Sequence, residues 1–166
     1  FIGSLFYTKG ITHLMKIVPE VISKDVSFLI VGDGPLRGIL RKDVVSIGHT
    51  DYEKIPEIYS VSDIIVLPSI WQEPFSGIPL EAGSYKKVII ANDVGGARDA
   101  IINGKTGFLV KSKEQWIEKL RLLIKDDKLR TKMGEENFIL VKEKFNKKII
   151  AEKTEAVYEK RNDWEL

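Results

Sequence analysis

The sequence contains no cysteine, which excludes disulfide bonds, a thiol nucleophile and a thiolate metal site. Its two histidines, His13 and His49, are too few and too far apart to predict a zinc site. The positive and negative side chains nearly balance, at a net charge of +2, so binding to nucleic acid is not expected. The longest apolar runs, at about five residues, are far shorter than the ~20 that span a bilayer, and no membrane span is expected.

The composition is that of an ordinary globular protein. Hydrophobic residues make up 43% of the 166 residues and charged residues 30%, enough for one domain with a hydrophobic core. We therefore expect residues 1–166 to form a single domain. The chain opens inside an apolar segment with neither an initiator methionine nor a visible signal peptide. The expectation is a fragment of a longer cytoplasmic protein, with membrane association of the full-length protein left open.

Short apolar runs rich in β-branched residues predict strands that are buried on both faces. These runs cover residues 28–31, 44–47, 64–67, 88–91 and 108–110, with residues 1–4 as a first strand. Amphipathic helical patterns separate the runs, and Pro19 should bend or split the first of them. The alternation predicts an α/β fold: a Rossmann-like, doubly wound parallel sheet of about six strands, closed by two or three helices from about Ser112 onward.

In such a sheet, ligands bind beyond the carboxyl ends of the strands, where the strand order reverses. For an order of 3-2-1-4-5-6, that point lies between the loops that follow strands one and four. These are residues 5–10, here called the Lys9 loop, and residues 68–77, here called the Glu73 loop. Lys9 comes directly before a helix, where its charge could reach a phosphate, although a solvated surface lysine is the alternative.

The Glu73 loop and the helix after it contain two carboxylates, Glu73 and Glu81. If that helix begins near Ser76, the unpaired amides of residues 76–78 form an anion site in front of it. Glu73 could then accept hydrogen bonds from hydroxyl groups, and Glu81 could turn towards a ribose. This pattern suits a ligand with both a phosphate and a sugar. The alternative is a helix-terminal charge plus a surface glutamate.

A glycine pair after the second strand raises another possibility. Gly32 and Gly34 form a Gly-x-Gly turn, and Asp51 lies near the distance at which a ribose-binding acid follows in dinucleotide-binding folds. However, the turn follows the second strand instead of the first, and Arg37 occupies the usual position of the third glycine. A domain of an NAD(P)-binding oxidoreductase therefore stays as a minor alternative.

Together, these segments resemble the C-terminal, donor-binding domain of retaining glycosyltransferases of the GT-B fold, in family four (glycosyl transferases group 1). The matching segments run in the family's order over nearly the whole chain. They are Gly3, Lys9 and Gly10, residues 31–35, 47–48, Tyr59 and Asp63, residues 68–69, 73–82, 95–96 with Asp99, and residues 104–110. The spacing of seven residues between Glu73 and Glu81 is the most specific match.

The resemblance implies a role for each matched position. Glu73 and Lys9 would be the catalytic residues, with Glu73 on the hydroxyls of the donor sugar and Lys9 on the diphosphate. Glu81 would bind the ribose. The other implied substrate-binding residues are Gly3, Ser4, Gly34, Ile47, Gly48, His49, Phe75, Ser76, Gly77 and Ile78. Among these, residues 76–78 would offer their amides to the diphosphate, and residues 47–49 would meet the base.

The resemblance also implies the reaction, which transfers a hexose from a nucleoside-diphosphate sugar to an acceptor hydroxyl with retention at the anomeric carbon. No Asp-x-Asp motif occurs, so neither a metal nor another cofactor is expected. The acceptor, a carbohydrate or a lipid-linked sugar, would bind a missing N-terminal domain. The fragment should therefore be inactive alone.

The chain departs from the family pattern at several positions. Ser4 stands where the family usually has an arginine, so one of two phosphate-binding cations is missing, and Arg98 is a candidate to replace it. Residues 83–87 replace the family's usual small residues and proline. The alternative to an enzyme fragment is therefore a non-catalytic nucleotide-sugar-binding module or a pseudoenzyme.

Overall fold

The computed structural model describes residues 1–161. In this part of the chain the parallel strands are β1 (Leu29–Val31), β2 (Val45–Gly48), β3 (Ile64–Leu67), β4 (Val88–Asn92) and β5 (Gly107–Val110). The helices are α1 (Ile11–Ile17), α2 (Ile55–Val61), α3 (Ile78–Ser84), α4 (Ala97–Ala100), α5 (Lys113–Lys125), α6 (Asp127–Lys144) and α7 (Lys147–Arg161). The α/β fold with parallel sheets is as predicted.

The strands form two parallel sheets, β1-β2 and β3-β4-β5. The predicted first strand is reduced to one parallel bridge, between Ile2 and Val31. Around it, the Val31 amide donates to the Phe1 carbonyl, and the Gly3 amide donates to the Val31 carbonyl. Pairing stops there because Gly3, at φ +149°, and Gly32, at φ +129°, both leave the ordinary extended conformation. The neighbour order within each half is nevertheless the predicted one.

Apolar side chains cover the sheets on both faces. On one face Ile30, Val66 and Ile90 pack with α1 and α5, where Leu14 and Trp116 are buried. On the other face the strand residues Ile65 and Ile89 pack with Tyr59 of α2 and Ala82 of α3. Because the first cluster joins β1 to β3 and β4, the two sheets share one hydrophobic core. Burial on both faces explains why the strand sequences are apolar without alternation.

The helix ends follow local sequence signals. Pro19 lies in a 3-10 turn, Val18–Glu20, directly after α1, so the proline does break the first helical pattern. The Ser112 hydroxyl accepts a hydrogen bond from the Gln115 amide at the start of α5, as expected of an N-cap. Three helices follow Ser112, in agreement with the prediction. No helix among the described residues has the length and apolar character needed to cross a bilayer.

Lys86 adopts a left-handed conformation, with φ at +55°, in the turn between α3 and β4. Its carbonyl lies under α6, where a Cβ on Gly134 would come within 2.0 Å of the Lys86 oxygen, so the turn has no room to relax. A left-handed conformation costs an ordinary residue about 1–2 kcal/mol, whereas glycine adopts it freely. The ammonium group forms an exposed ion pair with Glu135, which adds little stability.

We expect Lys86→Gly to be more stable than Lys86→Ala by about 1 kcal/mol, because both variants lose the ion pair and only glycine relieves the backbone. Urea unfolding of the two variants measures this difference. Equal stability, or a more stable alanine variant, would show that the turn is not strained.

Candidate functional site

The Lys9 loop and the Glu73 loop meet at the carboxyl ends of the strands, where sequence reasoning placed the site. The Lys9 ammonium donates a hydrogen bond to Glu73 Oε1 and forms an ion pair with it. The Lys9 side chain is 35% exposed and that of Glu73 18%. Lys9 and Glu73 therefore neutralise each other, and both side chains remain accessible to solvent. A side chain that exchanges its partner for a ligand must be accessible in this way.

Backbone contacts fix the two loops to each other. The Thr8 carbonyl accepts hydrogen bonds from the Ile70 amide at 2.9 Å and the Trp71 amide at 3.3 Å. The Ser69 hydroxyl donates to the same carbonyl at 3.2 Å. At Gly10, where φ is +72°, a Cβ would lie 1.8 Å from the Pro68 carbonyl oxygen. The distance between Lys9 and Glu73 is therefore set by the backbone.

Asn92, at the end of β4, anchors the Glu73 loop from below. Its Nδ2 donates to the Pro68 carbonyl at 2.7 Å and to the Ser69 carbonyl at 3.0 Å. Its Oδ1 accepts from the Trp116 indole at 2.7 Å. The carboxamide thus joins the start of the loop to α5. Sequence reasoning missed this residue, although its position at a strand end next to a glycine pair was a possible signal.

Gly95 and Gly96 support the other side of the loop. The Gly96 amide donates to the Glu73 carbonyl at 2.8 Å, and the Gly95 amide donates to the Gln72 side chain at 3.0 Å. A Cβ on Gly96 would lie 2.0 Å from the Pro74 carbonyl oxygen, so only glycine allows this approach. The family resemblance matched this glycine pair but implied no role for it. In the structure, the pair positions the Glu73 backbone.

Helix α3 begins at Ile78, with Gly77 as its N-cap, two residues after the start near Ser76 that the sequence analysis considered. The first intrahelical hydrogen bonds, from the amides of Leu80 and Glu81, are accepted by the Gly77 carbonyl, which leaves Ser76 in the loop. The proline at position 79 fits because the first-turn amides lack intrahelical partners. Glu81 lies in the first turn, and its Oε2 accepts a hydrogen bond from the Tyr59 hydroxyl at 2.8 Å.

A cavity of about 450 Å³ lies beside the ion pair, lined by Thr8, Lys9, Trp71, Glu73, Pro74 and Phe75. Trp71 is 58% exposed and Phe75 43% exposed, so both form open walls. Another cavity, of about 460 Å³, lies at the amino ends of the strands, with Phe1, Phe28 and Ile64 among its lining residues. Because ligands of parallel sheets bind at the carboxyl ends, the cavity with Lys9 and Glu73 is the candidate site.

The other predicted binding residues lie at the same edge of the sheets but apart from the ion pair. Gly3 and Ser4 end the bridged segment, Gly34 follows β1, and residues 47–49 end β2. Within residues 1–161, no hydrogen bond joins this group to Lys9, Glu73 or Glu81. The structure therefore brings Lys9 and Glu73 together, places the Glu81 carboxylate against Tyr59, and leaves the implied base positions at the neighbouring strand ends.

The Gly32 and Gly34 turn has a packing role. A Cβ on Gly32 would lie 2.0 Å from the Gly3 carbonyl oxygen, and one on Gly34 would lie 2.8 Å from that of Leu5. A 3-10 turn of three residues, Arg37–Ile39, follows in place of an α-helix. The dinucleotide fingerprint requires a helix N-terminus after its glycines. The geometry therefore disfavours the oxidoreductase alternative.

Arg98, the candidate to replace the missing cation, is paired with Asp93 in this structure. Its Nε donates to Asp93 Oδ1 and its Nη2 donates to the Asp93 carbonyl at 3.0 Å. The hydrogen bond from Arg98, with help from Lys111, holds the pKa of the Asp93 carboxyl below its usual range. Arg98 is not among the residues that line the candidate cavity. Among the described residues that line this cavity, Lys9 is the cation beside Glu73.

Solved structures share this fold. The C-terminal domain of a glycosyl transferase group 1 family protein (LpcC) from Francisella tularensis matches with a TM-score of 0.78 and 29% identity, over 88% of this chain and 84% of that one. Anabaena Alr3699/HepE, solved in complex with UDP and glucose, matches with a TM-score of 0.81 over 95% of this chain and 46% of that one. At 20% identity, the second likeness shows the fold alone.

Sequence relatives agree with the structural ones. Alpha-D-kanosaminyltransferase from Streptomyces kanamyceticus is 28% identical over 95% of this chain and 44% of its own length. The chain spans about half the length of the first curated relatives that it matches, at 48% and 44%. The family model described as "Glycosyl transferases group 1" matches residues 1–138. The chain therefore belongs to the glycosyl transferases group 1 family, with the GT-B fold.

Proposed function

We propose that residues 1–166 are the donor-binding domain of a retaining glycosyltransferase that transfers a hexose from a nucleoside-diphosphate sugar to an acceptor hydroxyl. The observation that carries this proposal is the meeting of Lys9 and Glu73 beside an open cavity at the carboxyl ends of the strands. Membership of the family supports it, as does a structural neighbour that was solved with UDP and glucose.

In this proposal, the ion pair opens when the donor binds. Lys9 turns to the diphosphate, since its ammonium group is a compact charge on a flexible stem. The amides of residues 76–78 add hydrogen bonds to the same phosphates. Glu73 accepts hydrogen bonds from hydroxyls of the donor sugar, and Glu81 accepts them from the ribose. The exposed Phe75 adds an apolar wall.

Transfer breaks the bond between the anomeric carbon and the diphosphate oxygen, which keeps the electron pair. The new bond joins the anomeric carbon to the acceptor oxygen, whose proton is released. Once turned to the diphosphate, Lys9 stabilises the negative charge that grows on this leaving group, an electrostatic contribution that needs no metal. We infer that the acceptor binds a further domain of the full-length protein, so this chain alone binds donor without transferring sugar.

A non-catalytic nucleotide-sugar-binding module is the second candidate, and Ser4 favours it. Ser4 is exposed and carries no charge, and Arg98 is occupied by Asp93. A site with one cation stabilises the leaving diphosphate less than a site with two. Transfer assays on the full-length protein distinguish the two candidates, because only the enzyme turns over.

We expect UDP or GDP to bind this chain, and Glu81→Ala to weaken that binding by about 1.5–3 kcal/mol, because a charge-assisted hydrogen bond to the ribose is lost. Isothermal titration calorimetry of both nucleotides, with NAD as a control ligand, measures this. If neither diphosphate binds, the proposed function is wrong. If the folded variant binds like the parent, Glu81 does not contact the ribose.

A further inference from the structure

The Glu81 carboxylate is held by a tyrosine from another helix. Tyr59, on α2, donates its hydroxyl hydrogen to Glu81 Oε2 at 2.8 Å. Tyr59 is fully buried, among Ile65, Leu67 and Ala82. The resemblance matched Tyr59 but implied no role for it. A buried tyrosine whose hydroxyl reaches a half-buried carboxylate is more than an apolar packing residue.

The hydroxyl of Tyr59 has little freedom to move. Tyr85, at the end of α3, stacks on its ring with the centroids 5.0 Å apart and the planes 3° apart. Burial, together with the hydrogen bond to Glu81, raises the pKa of the Tyr59 phenol, so it keeps its proton and serves as a donor. The stacked ring therefore presents one fixed hydrogen-bond donor to Glu81.

The two carboxylate oxygens of Glu81 consequently differ. Oε2 is occupied by Tyr59, whereas Oε1 accepts no hydrogen bond from the described residues. Oε1 faces the first turn of α3, 3.5 Å from where a Cβ on Gly77 would stand. An oxygen with free lone pairs, on a carboxylate whose other oxygen is held by a buried hydroxyl, is suited to accept from a ligand hydroxyl.

We propose that Tyr59 is a positioning residue that fixes Glu81 so that Oε1 accepts hydrogen bonds from the ribose hydroxyls of the donor nucleotide. This rests on the proposed function, in which Glu81 binds the ribose. The contribution of Tyr59 is orientation: without its hydroxyl, Glu81 samples other rotamers and must be ordered each time that a nucleotide binds.

The test measures the preference for ribose over dideoxyribose. UDP and GDP, each paired with its 2′,3′-dideoxy counterpart, are titrated by calorimetry into the parent, Tyr59→Phe, Glu81→Gln and the double variant. We expect the parent to prefer ribose and Glu81→Gln to lose most of that preference. Tyr59→Phe should reduce it about three- to tenfold, as for one ordinary hydrogen bond. In the double variant, Tyr59→Phe should add nothing further.

Tyr85→Phe is the matched control, since it removes a tyrosine hydroxyl from the same stack that makes no hydrogen bond to the described residues. It should leave the ribose preference unchanged. If Tyr59→Phe does not fold, Tyr85→Ala replaces it: it keeps the Tyr59 hydroxyl and removes the ring that holds it, and it should lower the same preference.

The outcomes distinguish the ribose-binding role of Glu81 from the positioning role of Tyr59. A parent that binds neither diphosphate, or binds the dideoxy form equally well, overturns the ribose role of Glu81 and this inference with it. A parent that prefers ribose, together with a Tyr59→Phe variant that keeps the full preference and changes only its melting temperature, overturns the positioning role alone. The donor-binding proposal would then stand.

Discussion

Glu73→Gln should reverse the ligand preference of the site without destroying binding. In the parent, Glu73 neutralises Lys9 through their ion pair. Glutamine removes the negative charge, so Lys9 is released to the phosphates, and a bare nucleoside diphosphate should bind as tightly as before or more tightly. The intact nucleotide sugar loses a carboxylate acceptor for its hydroxyls, which should cost about 1.5–3 kcal/mol, or roughly ten- to a hundredfold in affinity.

Calorimetry of UDP beside UDP-glucose, and of GDP beside GDP-mannose, measures this reversal. Lys9→Gln is the matched control: both ligands carry the diphosphate, so it should weaken both alike. In the Lys9→Gln background, Glu73→Gln should no longer improve diphosphate binding. If Glu73→Gln changes the affinities for both ligands of a pair equally, Glu73 does not contact the donor sugar. Its charge then only stabilises the Glu73 loop.

Of the variants proposed here, Gly10→Ala should lower the free energy of unfolding the most, by more than about 3 kcal/mol, through two mechanisms. The residue has φ at +72°, which costs alanine about 1–2 kcal/mol. Its Cβ would also lie 1.8 Å from the Pro68 carbonyl oxygen, a backbone atom that cannot rotate away. The Lys9 and Glu73 loops must then separate, so the hydrogen bonds to the Thr8 carbonyl should break and nucleotide affinity should fall with stability.

Gly38→Ala is the control for that variant. A Cβ on Gly38 meets no atom within 4 Å, and its φ is not positive. We expect its free energy of unfolding to stay within about 0.5 kcal/mol of the parent in urea titrations. A Gly10→Ala protein that unfolds like the Gly38→Ala protein and still binds nucleotide would show that the contact between the two loops does not hold the site together.

The strand order within each sheet and the meeting of the two candidate loops could be predicted because both follow from local patterns. Apolar runs without alternation mark doubly buried strands, and the reversal of strand order selects two loops out of all the connections. Lys9 and Glu73 stood out because they are charged residues in those two loops. The length of the first strand could not be predicted, since Gly3 and Gly32 end the pairing through conformations that depend on each other.

The supports of the site were not predictable from the sequence, because they join distant segments. Asn92 bonds to the Pro68 and Ser69 carbonyls and to Trp116, and nothing in its neighbourhood indicates those partners. Tyr59 belongs to a segment that matches the family, but its contact with Glu81 becomes visible only when the fold places the carboxylate beside its hydroxyl. The sequence placed the start of α3 only to within two residues, because glycine fits both a loop and an N-cap, as Gly77 shows.

The central claim is that a nucleoside diphosphate binds between the Lys9 loop and the first turn of α3. Amide NMR shifts, recorded while UDP or GDP is added to the ¹⁵N-labelled chain, test it directly. The account predicts the largest changes at Lys9, Gly77, Ile78 and Glu81. Changes centred instead at the amino ends of the strands, near Phe28 and Ile64, would contradict it, as would the absence of any change at saturating nucleotide.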